Sequence, residues 1–186
     1  KTMVDDIIDL SRNSFGELRL EIGDIDVARV ITEVAETLRP QIEASGQALD
    51  IRIDGSTPSI EADGKRIRQI IFNLLQNARV HTPGGTTIEV SVCGTGTEVL
   101  VEVKDDGEGL PFENPEDAFG SFRSGLATGG DPMTGSGIGL TISRQLAELH
   151  RGTLEVESEA GVGTKFTLLL PVERAAARKL VLPEAN

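Results

Sequence analysis

The chain has 186 residues, with 18 Lys or Arg against 30 Asp or Glu, a net charge of −12, and neither Trp nor Tyr. So acidic a chain carries no basic stripe for a duplex, which excludes nucleic acid as its primary partner. Its one cysteine, Cys93, excludes an internal disulfide framework or a thiolate metal cluster, and no apolar run of about 18 residues or signal-peptide pattern occurs, so it reads as a soluble domain with one core.

In chain order, Val4, Ile7 and Ile8 share a helical face, predicting the end of a longer helix that Gly16 breaks. Leu18, Leu20 and Ile22 then alternate as a strand. Asp24 or Asp26 is placed to cap a helix bearing Val27, Val30, Ile31, Val34 and Leu38, which Pro40 bends or ends. Leu49, Ile51 and Ile53 alternate as a second strand, and a short one lies around Ile60. The clearest helix runs from about Gly64 to Val80 with Ile67, Ile70, Ile71, Leu74, Leu75 and Ala78 in one stripe. Ile88 to Val92 and Val99 to Val103 alternate on either side of Gly94-Thr95-Gly96, a hairpin. A helix from about Ile138 to Leu149 and strands at Leu154 to Val156 and Phe166 to Leu170 complete the order, with Pro171 ending the sheet and a polar, Ala-rich tail beyond.

Helices segregated from hairpin-linked strands predict a two-layer α/β sandwich, an α+β arrangement with a mixed, mostly antiparallel sheet of about five strands and three main helices. Residues 16–173 form the domain, 1–15 a helix end and linker, and 174–186 a tail.

Glycine concentrates where chemistry is expected: residues 105–139 carry nine of the 21 glycines. Gly135-Ser136-Gly137-Ile138-Gly139-Leu140 matches neither a Walker A loop nor a dinucleotide fingerprint. Glycines at the mouth of an amphipathic helix nevertheless expose amides and the positive end of the helix dipole, which suits a phosphate cradle or, read more plainly, a hinge. Asn73 and Asn77, about 40° apart on the strongest helix, are either solvated or a pair of neutral oxygen donors for Mg²⁺ beside phosphates. Asp105 closes a buried strand and can accept from an exocyclic amine. The bland alternative is an acidic turn, and the Asp105-Asp106-Gly107-Glu108-Gly109 run lacks a Ca²⁺-loop register.

Taken together, Asn73-Leu-Leu-Gln-Asn77-Ala78, Asp105-Asp-Gly107-Glu-Gly109, Phe119 and Phe122, Gly135-Ser-Gly137-Ile-Gly139-Leu140, and Gly161-Val-Gly163-Thr164 resemble the N, G1, F, G2 and G3 boxes of bacterial two-component sensor histidine kinases. The resembling part, about residues 18–171, is similar to their catalytic and ATP-binding domain, of the GHKL superfamily that includes the DNA gyrase B protein and MutL, with the Bergerat ATP-binding fold. The resemblance implies an ATP·Mg²⁺ site. In it Asp105 binds the adenine amine, Gly107, Gly109 and Thr164 shape the base pocket, and Asn73 and Asn77 hold Mg²⁺ and phosphates. Gly135, Ser136, Gly137, Gly139 and Leu140 wrap the phosphates, and residues 111–134 form a lid hinged on Phe119 and Phe122.

It also implies a histidine on a dimerisation and phosphotransfer domain of the homodimeric parent as acceptor, a response regulator downstream, and a cytoplasmic location without direct membrane contact. The parent itself is either soluble or membrane-anchored. Three departures stand out. Val80 and His81 occupy the positions of a Lys and an aromatic, with Arg79 one residue early, Gly120 replaces a lid acid, and Arg123 is displaced by one; Arg79, His81 and Arg123 are kept as candidate nucleotide contacts. These departures leave open a degenerate nucleotide-binding module that regulates by conformation. His81 either stacks near the nucleotide or is exposed, and His150 reads as structural.

Overall fold

The computed structural model describes residues 19–120 and 138–172. The expectations for the first helix, Phe122 and the C-terminal tail lie outside them. Strand β1 (Gly23–Ile25) precedes helix α1 (Val27–Ala44), strands β2 (Ala48–Ile53) and β3 (Ile60–Ala62), and helix α2 (Gly64–His81). Then come β4 (Thr87–Gly94), β5 (Glu98–Asp105), a 3-10 turn (Pro115–Phe119), helix α3 (Gly139–Leu149), β6 (Thr153–Glu159) and β7 (Gly163–Pro171).

Five strands form one mixed sheet in the order β2-β4-β5-β7-β6, with β2 and β4 parallel and every other neighbour antiparallel. Period-2 alternation decides which side is buried. Ile88, Val90 and Val92, Val99, Val101 and Val103, and Phe166, Leu168 and Leu170 meet the helices. The opposite face carries polar cross-strand pairs, with Lys165 Nζ 2.8 Å from Glu157 and Arg52 2.8 Å from Glu89. The stripe of α2 is fully buried at Ile67, Ile70, Ile71, Leu74 and Leu75, packed between α1, α3 and the sheet. This is the α/β sandwich expected from the pattern.

One expectation fails and another is narrowed. Leu18 lies outside the described residues, and Leu20 and Ile22 are not in a strand; β1 lies at Gly23–Ile25 and pairs only with β3, apart from the main sheet. Glu21 N–H instead donates to the Asp63 carboxylate at 2.9 Å, so the approach to β1 is held by a side chain and not by a ladder. Of the two outcomes left open for Pro40, ending the helix is ruled out, since α1 runs on to Ala44. Pro40 sits on the exposed face, where the carbonyl it leaves unbonded meets water, while Leu38 and Ile42 on either side are wholly buried.

Asp63 ties the small sheet to α2. Its carboxylate caps the helix by accepting from Lys65 N–H at 3.0 Å and Arg66 N–H at 3.2 Å. Its own N–H donates to His150 Nε2 at 3.0 Å, and His150 Nδ1 lies 2.7 Å from Leu146 O, so the buried His150 carries its proton on Nδ1 and is structural. Asp63→Ala, which removes three accepted bonds at a site only 5% exposed, is expected to cost about 2–3 kcal/mol in a urea titration. A midpoint within error of wild type would refute this account.

Candidate functional site

The C-terminal end of α2, the end of β5 and the start of α3 converge on a cavity of about 160 Å³. Asp105 forms its floor. The register of the sheet sets Asp105 opposite Thr164 on β7, and both side chains are buried among apolar neighbours at 5% and 6% exposure. The Asp105 carboxylate accepts from Gly107 N–H at 3.1 Å and from the Thr164 amide. Burial is the main influence and raises its pKa above the usual carboxylate value, with Asp106 adding to it and the two amides opposing it. A desolvated acceptor of this kind at the floor of a cavity is matched by an N–H donor on a ligand.

The walls come from α2 and from the turn after β5. Asn77, Ala78 and His81 line one side, Glu108, Gly109 and Leu110 another, and Leu140 the phosphate-cradle side. Gly109 is required twice over. It has φ +79°, and a Cβ there would lie 2.6 Å from Glu159 O. The turn is thus pressed onto the β6–β7 hairpin, where Gly161 N–H donates to Glu108 O at 2.9 Å. Asp106 leaves the cavity: its carboxylate accepts from Thr87 N–H at 2.7 Å. The mouth is therefore less acidic than the Asp-Asp run suggests.

Of the residues singled out from sequence, Asn77, His81, Asp105, Gly109, Leu140 and Thr164 meet at this cavity, and Gly107 adjoins it through its bond to Asp105. Asn73 stands one turn back, its Nδ2 donating to Gly139 O and Ser143 Oγ, both at 3.2 Å. Its oxygen takes no part in those contacts, and the α2–α3 junction is locked by them. No side chain caps α3, whose first turn begins at Gly139. A helix start without a side-chain cap has backbone amides to offer an anion. Gly135, Ser136, Gly137 and Arg123 lie outside the described residues.

Arg79 is a correction. Its guanidinium bonds Gln76 Oε1 at 3.2 Å and reaches Ser45 Oγ at 3.5 Å, on the side of α2 facing the end of α1. One residue of helix rotates a side chain by about 100°, so an Arg displaced by one position leaves the face that Asn77 and His81 share. Among the described residues no Lys or Arg lines the cavity.

Several lining residues escape a reading of motifs. Thr82, Phe112 and Ala118 also line the cavity, the last two within a segment expected to be lid. Residues 115–119 instead form a 3-10 turn whose Phe119 packs edge-to-face on Phe166, centroids 6.1 Å apart. Arg144 lies 3.4 Å from the Phe119 ring centroid and bonds Glu116 at 2.7 Å, so this part of the loop is fixed to α3. The remainder, 121–134, falls outside the described residues. The Pro115 start and the Asn114 cap, whose side chain accepts from Glu116 N–H at 3.2 Å, are the sequence signals that mark the turn.

His81 is exposed on one side and packed against the cavity on the other, and that burial lowers its pKa. The unfolded chain therefore takes up a proton before the folded one does. Stability from neutral His81 is complete above the ordinary value of 6.5 and is lost as pH falls through the lower folded value. The thermal midpoint is expected to drop more between pH 7.5 and 5.5 in wild type than in His81→Phe, and parallel curves would count against it.

The family described as histidine kinase-, DNA gyrase B- and HSP90-like ATPase matches residues 62–174. The chain belongs to this family, as a catalytic domain of the sensor histidine kinase type. It is 31% identical over 170 residues to the alginate biosynthesis sensor protein KinB of Pseudomonas aeruginosa, covering 91% of this chain and 28% of the relative. It is 34% identical over 178 residues to the adaptive-response sensory kinase SasA of Synechococcus sp. strain JA-3-3Ab, covering 95% and 47%. The chain thus spans 28% to 47% of the length of these relatives. Among solved structures it resembles the catalytic domain of histidine kinase ThkA, with a TM-score of 0.69, 26% identity and coverage of 83% of this chain and 97% of that one. It likewise resembles full-length ShkA in complex with AMPPNP, with a TM-score of 0.80, 26% identity and coverage of 95% and 36%. The three-helix, five-strand sandwich of this histidine kinase catalytic domain is the fold of those catalytic domains. None of its described helices is long and apolar enough to cross a membrane.

Proposed function

We propose that this catalytic domain binds ATP with Mg²⁺ and delivers the γ-phosphoryl group to a histidine on the dimerisation and phosphotransfer domain of its homodimeric parent, a cytoplasmic step in two-component signalling that passes the group on to a response regulator. The observation that carries the reading is the buried Asp105 carboxylate at the floor of a cavity walled by Asn77, His81 and Leu140. A carboxylate there accepts from the exocyclic amine of adenine, and the triphosphate then extends past Asn77 toward the uncapped start of α3.

The donor set fits Mg²⁺. Among the described residues no three His, Cys, Asp or Glu side chains gather into a cage, and the side-chain oxygens of Asn77 and Asn73 would hold the ion, as suits one that keeps waters and takes phosphate oxygens. When bound, the ion neutralises charge between the phosphates. The chain's own residues orient and desolvate: Asp105 and Thr164 fix the base, α2 aligns the chain of phosphates, and the first turn of α3 holds them in line for attack. A P–N bond forms at the acceptor imidazole as the bridging Pγ–O bond breaks, and ADP leaves. Asn73 stands four residues before Asn77, where hydrolysing relatives carry a Glu, and an amide cannot take a proton from water. Hydrolysis by this domain is accordingly slow.

A second reading has one observation in its favour. With Arg79 turned toward Ser45 and Val80 in the place of a Lys, the described wall offers the phosphates no cation, as a conformational, non-catalytic nucleotide module would have it. Labelled ATP and the parent's hairpin domain decide between the two. Phosphohistidine on the hairpin supports the kinase. Calorimetric binding of a non-hydrolysable ATP analogue without any transfer supports the regulatory module, and absence of both sinks the nucleotide reading.

A further inference from the structure

Three neighbouring strands place three polar side chains in one row at the cavity end of the sheet. Asp105 on β5 is opposite Thr164 on β7, and Thr164 is opposite Ser158 on β6. The first two line the cavity. Ser158 does not, yet its hydroxyl joins the turn after β5 to the β6–β7 hairpin. Ser158 Oγ accepts from Leu110 N–H at 2.8 Å, donates to Gly163 O at 3.1 Å and lies 3.2 Å from Thr164 Oγ1. Leu110 is itself a cavity wall. One side chain thus ties the turn that forms one wall to the strand that forms the floor.

We propose that Ser158 is a positioning residue that sets base discrimination in the pocket, a role that rests on the nucleotide reading above. It acts through two residues that line the cavity, Leu110 and Thr164. Through the Leu110 amide it fixes how far the 107–110 turn stands from β7. Through Thr164 Oγ1 it fixes the rotamer of the hydroxyl beside Asp105. Because the Ser158 proton goes to Gly163 O, the Thr164 hydroxyl donates to Ser158, so the carboxylate and the held hydroxyl present two acceptors, which suit the two N–H donors of the 6-amino group of adenine. The 6-oxo edge of guanine presents an acceptor and an N–H donor in those places. Discrimination between the two is lost in proportion as the hydroxyl and the wall are free to move, because a site rejects the wrong edge only when its polar groups are held unpaired against it. Packing alone does not achieve this. The turn meets the hydroxyl through the Leu110 amide, and at Gly109 it leaves no room for a Cβ, which would lie 2.6 Å from Glu159 O and 3.1 Å from Ser158 Oγ.

The test uses the whole chain and calorimetric titration with non-hydrolysable ATP and GTP analogues in excess Mg²⁺, with thermal melts alongside. Ser158→Ala is expected to weaken the ATP analogue by about tenfold and the GTP analogue far less, so that the ratio of the two dissociation constants collapses. Ser158→Thr keeps the hydroxyl and restores the ratio. Thr164→Val alone should mimic the loss, and the double variant should add little to it, because two residues on one path are not additive. If Ser158→Ala does not fold, Ser158→Cys, close in size with a weak S–H donor, carries the test with an intermediate ratio expected. An equal loss for both nucleotides, or an unchanged ratio, overturns the assignment. A wild-type chain that binds neither analogue overturns the nucleotide reading itself, which separates the two failures.

Discussion

Asp105→Asn is expected to weaken binding of a non-hydrolysable ATP analogue by about a hundredfold, the worth of a hydrogen bond to a charged acceptor, while leaving the fold at least as stable as wild type near neutral pH. Both halves follow from one fact. Burial raises the pKa of this carboxylate above its ordinary 3.8, so the folded chain holds the proton more tightly than the unfolded chain. The sign is fixed by that ordering: the group favours the folded state below the unfolded value, and the benefit is lost as pH rises through the folded value. At pH 7 the ionised form is a standing cost to the fold. An amide keeps an oxygen for the Gly107 and Thr164 amides and removes the charge, so the melting curve between pH 4 and 8 should flatten. Its NH₂ group, however, now confronts the donor it ought to accept. A site that trades stability for recognition is expected to behave in this way. Titration calorimetry and melts on the same samples check both parts, and near-wild-type affinity in Asp105→Asn would mean that the base is not read at this carboxylate.

The sequence made the scaffold legible wherever burial is one-sided and periodic. The α2 stripe, the β4–β5 hairpin and the Asp105 strand end are local patterns, and the structure places each as the pattern requires. Gly109, Thr164 and Asp105 were legible as separate motifs. Their meeting depends on the β5–β7 pairing, a contact across about 60 residues of chain that no local pattern encodes. Arg79 shows the opposite limit. Motif spacing left its role undecided, and a single residue of helical phase settled it toward Ser45. The segment Leu20 to Ile22 shows a third. Alternation describes a half-buried strand, but an extended segment whose amide is taken by the Asp63 carboxylate satisfies the same pattern without a partner strand. The Val156-Glu-Ser158-Glu run adds to the resemblance but does not assign Ser158 a role, because a hydroxyl on a strand matters here only through what lies across from it.

Gly163→Ala should be the most damaging single methyl addition in the domain's described site. Gly163 has φ +134°, and an added Cβ would lie 2.0 Å from Asp105 O and 2.9 Å from Asp105 C. Backbone is what it strikes, so no rotamer change relieves the clash, and the β5–β7 pairing must open where Asp105 meets Thr164. Strain and overpacking together are expected to cost about 3–4 kcal/mol, which for a domain of this size lowers the thermal midpoint by about 10 °C. Gly161→Ala is the control two residues away. Its φ is +76° but nothing lies within 4 Å of the added Cβ, so only the conformational penalty remains, about 1 kcal/mol. The same comparison separates fold from site. Opening the strand pair moves the Asp105 carboxylate off the Thr164 amide and slackens the Ser158 bond to Gly163 O. Nucleotide affinity should therefore fall in Gly163→Ala even at temperatures where the chain is still folded, and should not fall in Gly161→Ala. Equal midpoints for the two variants would show that the close approach at Gly163 does not hold the floor of the cavity in place.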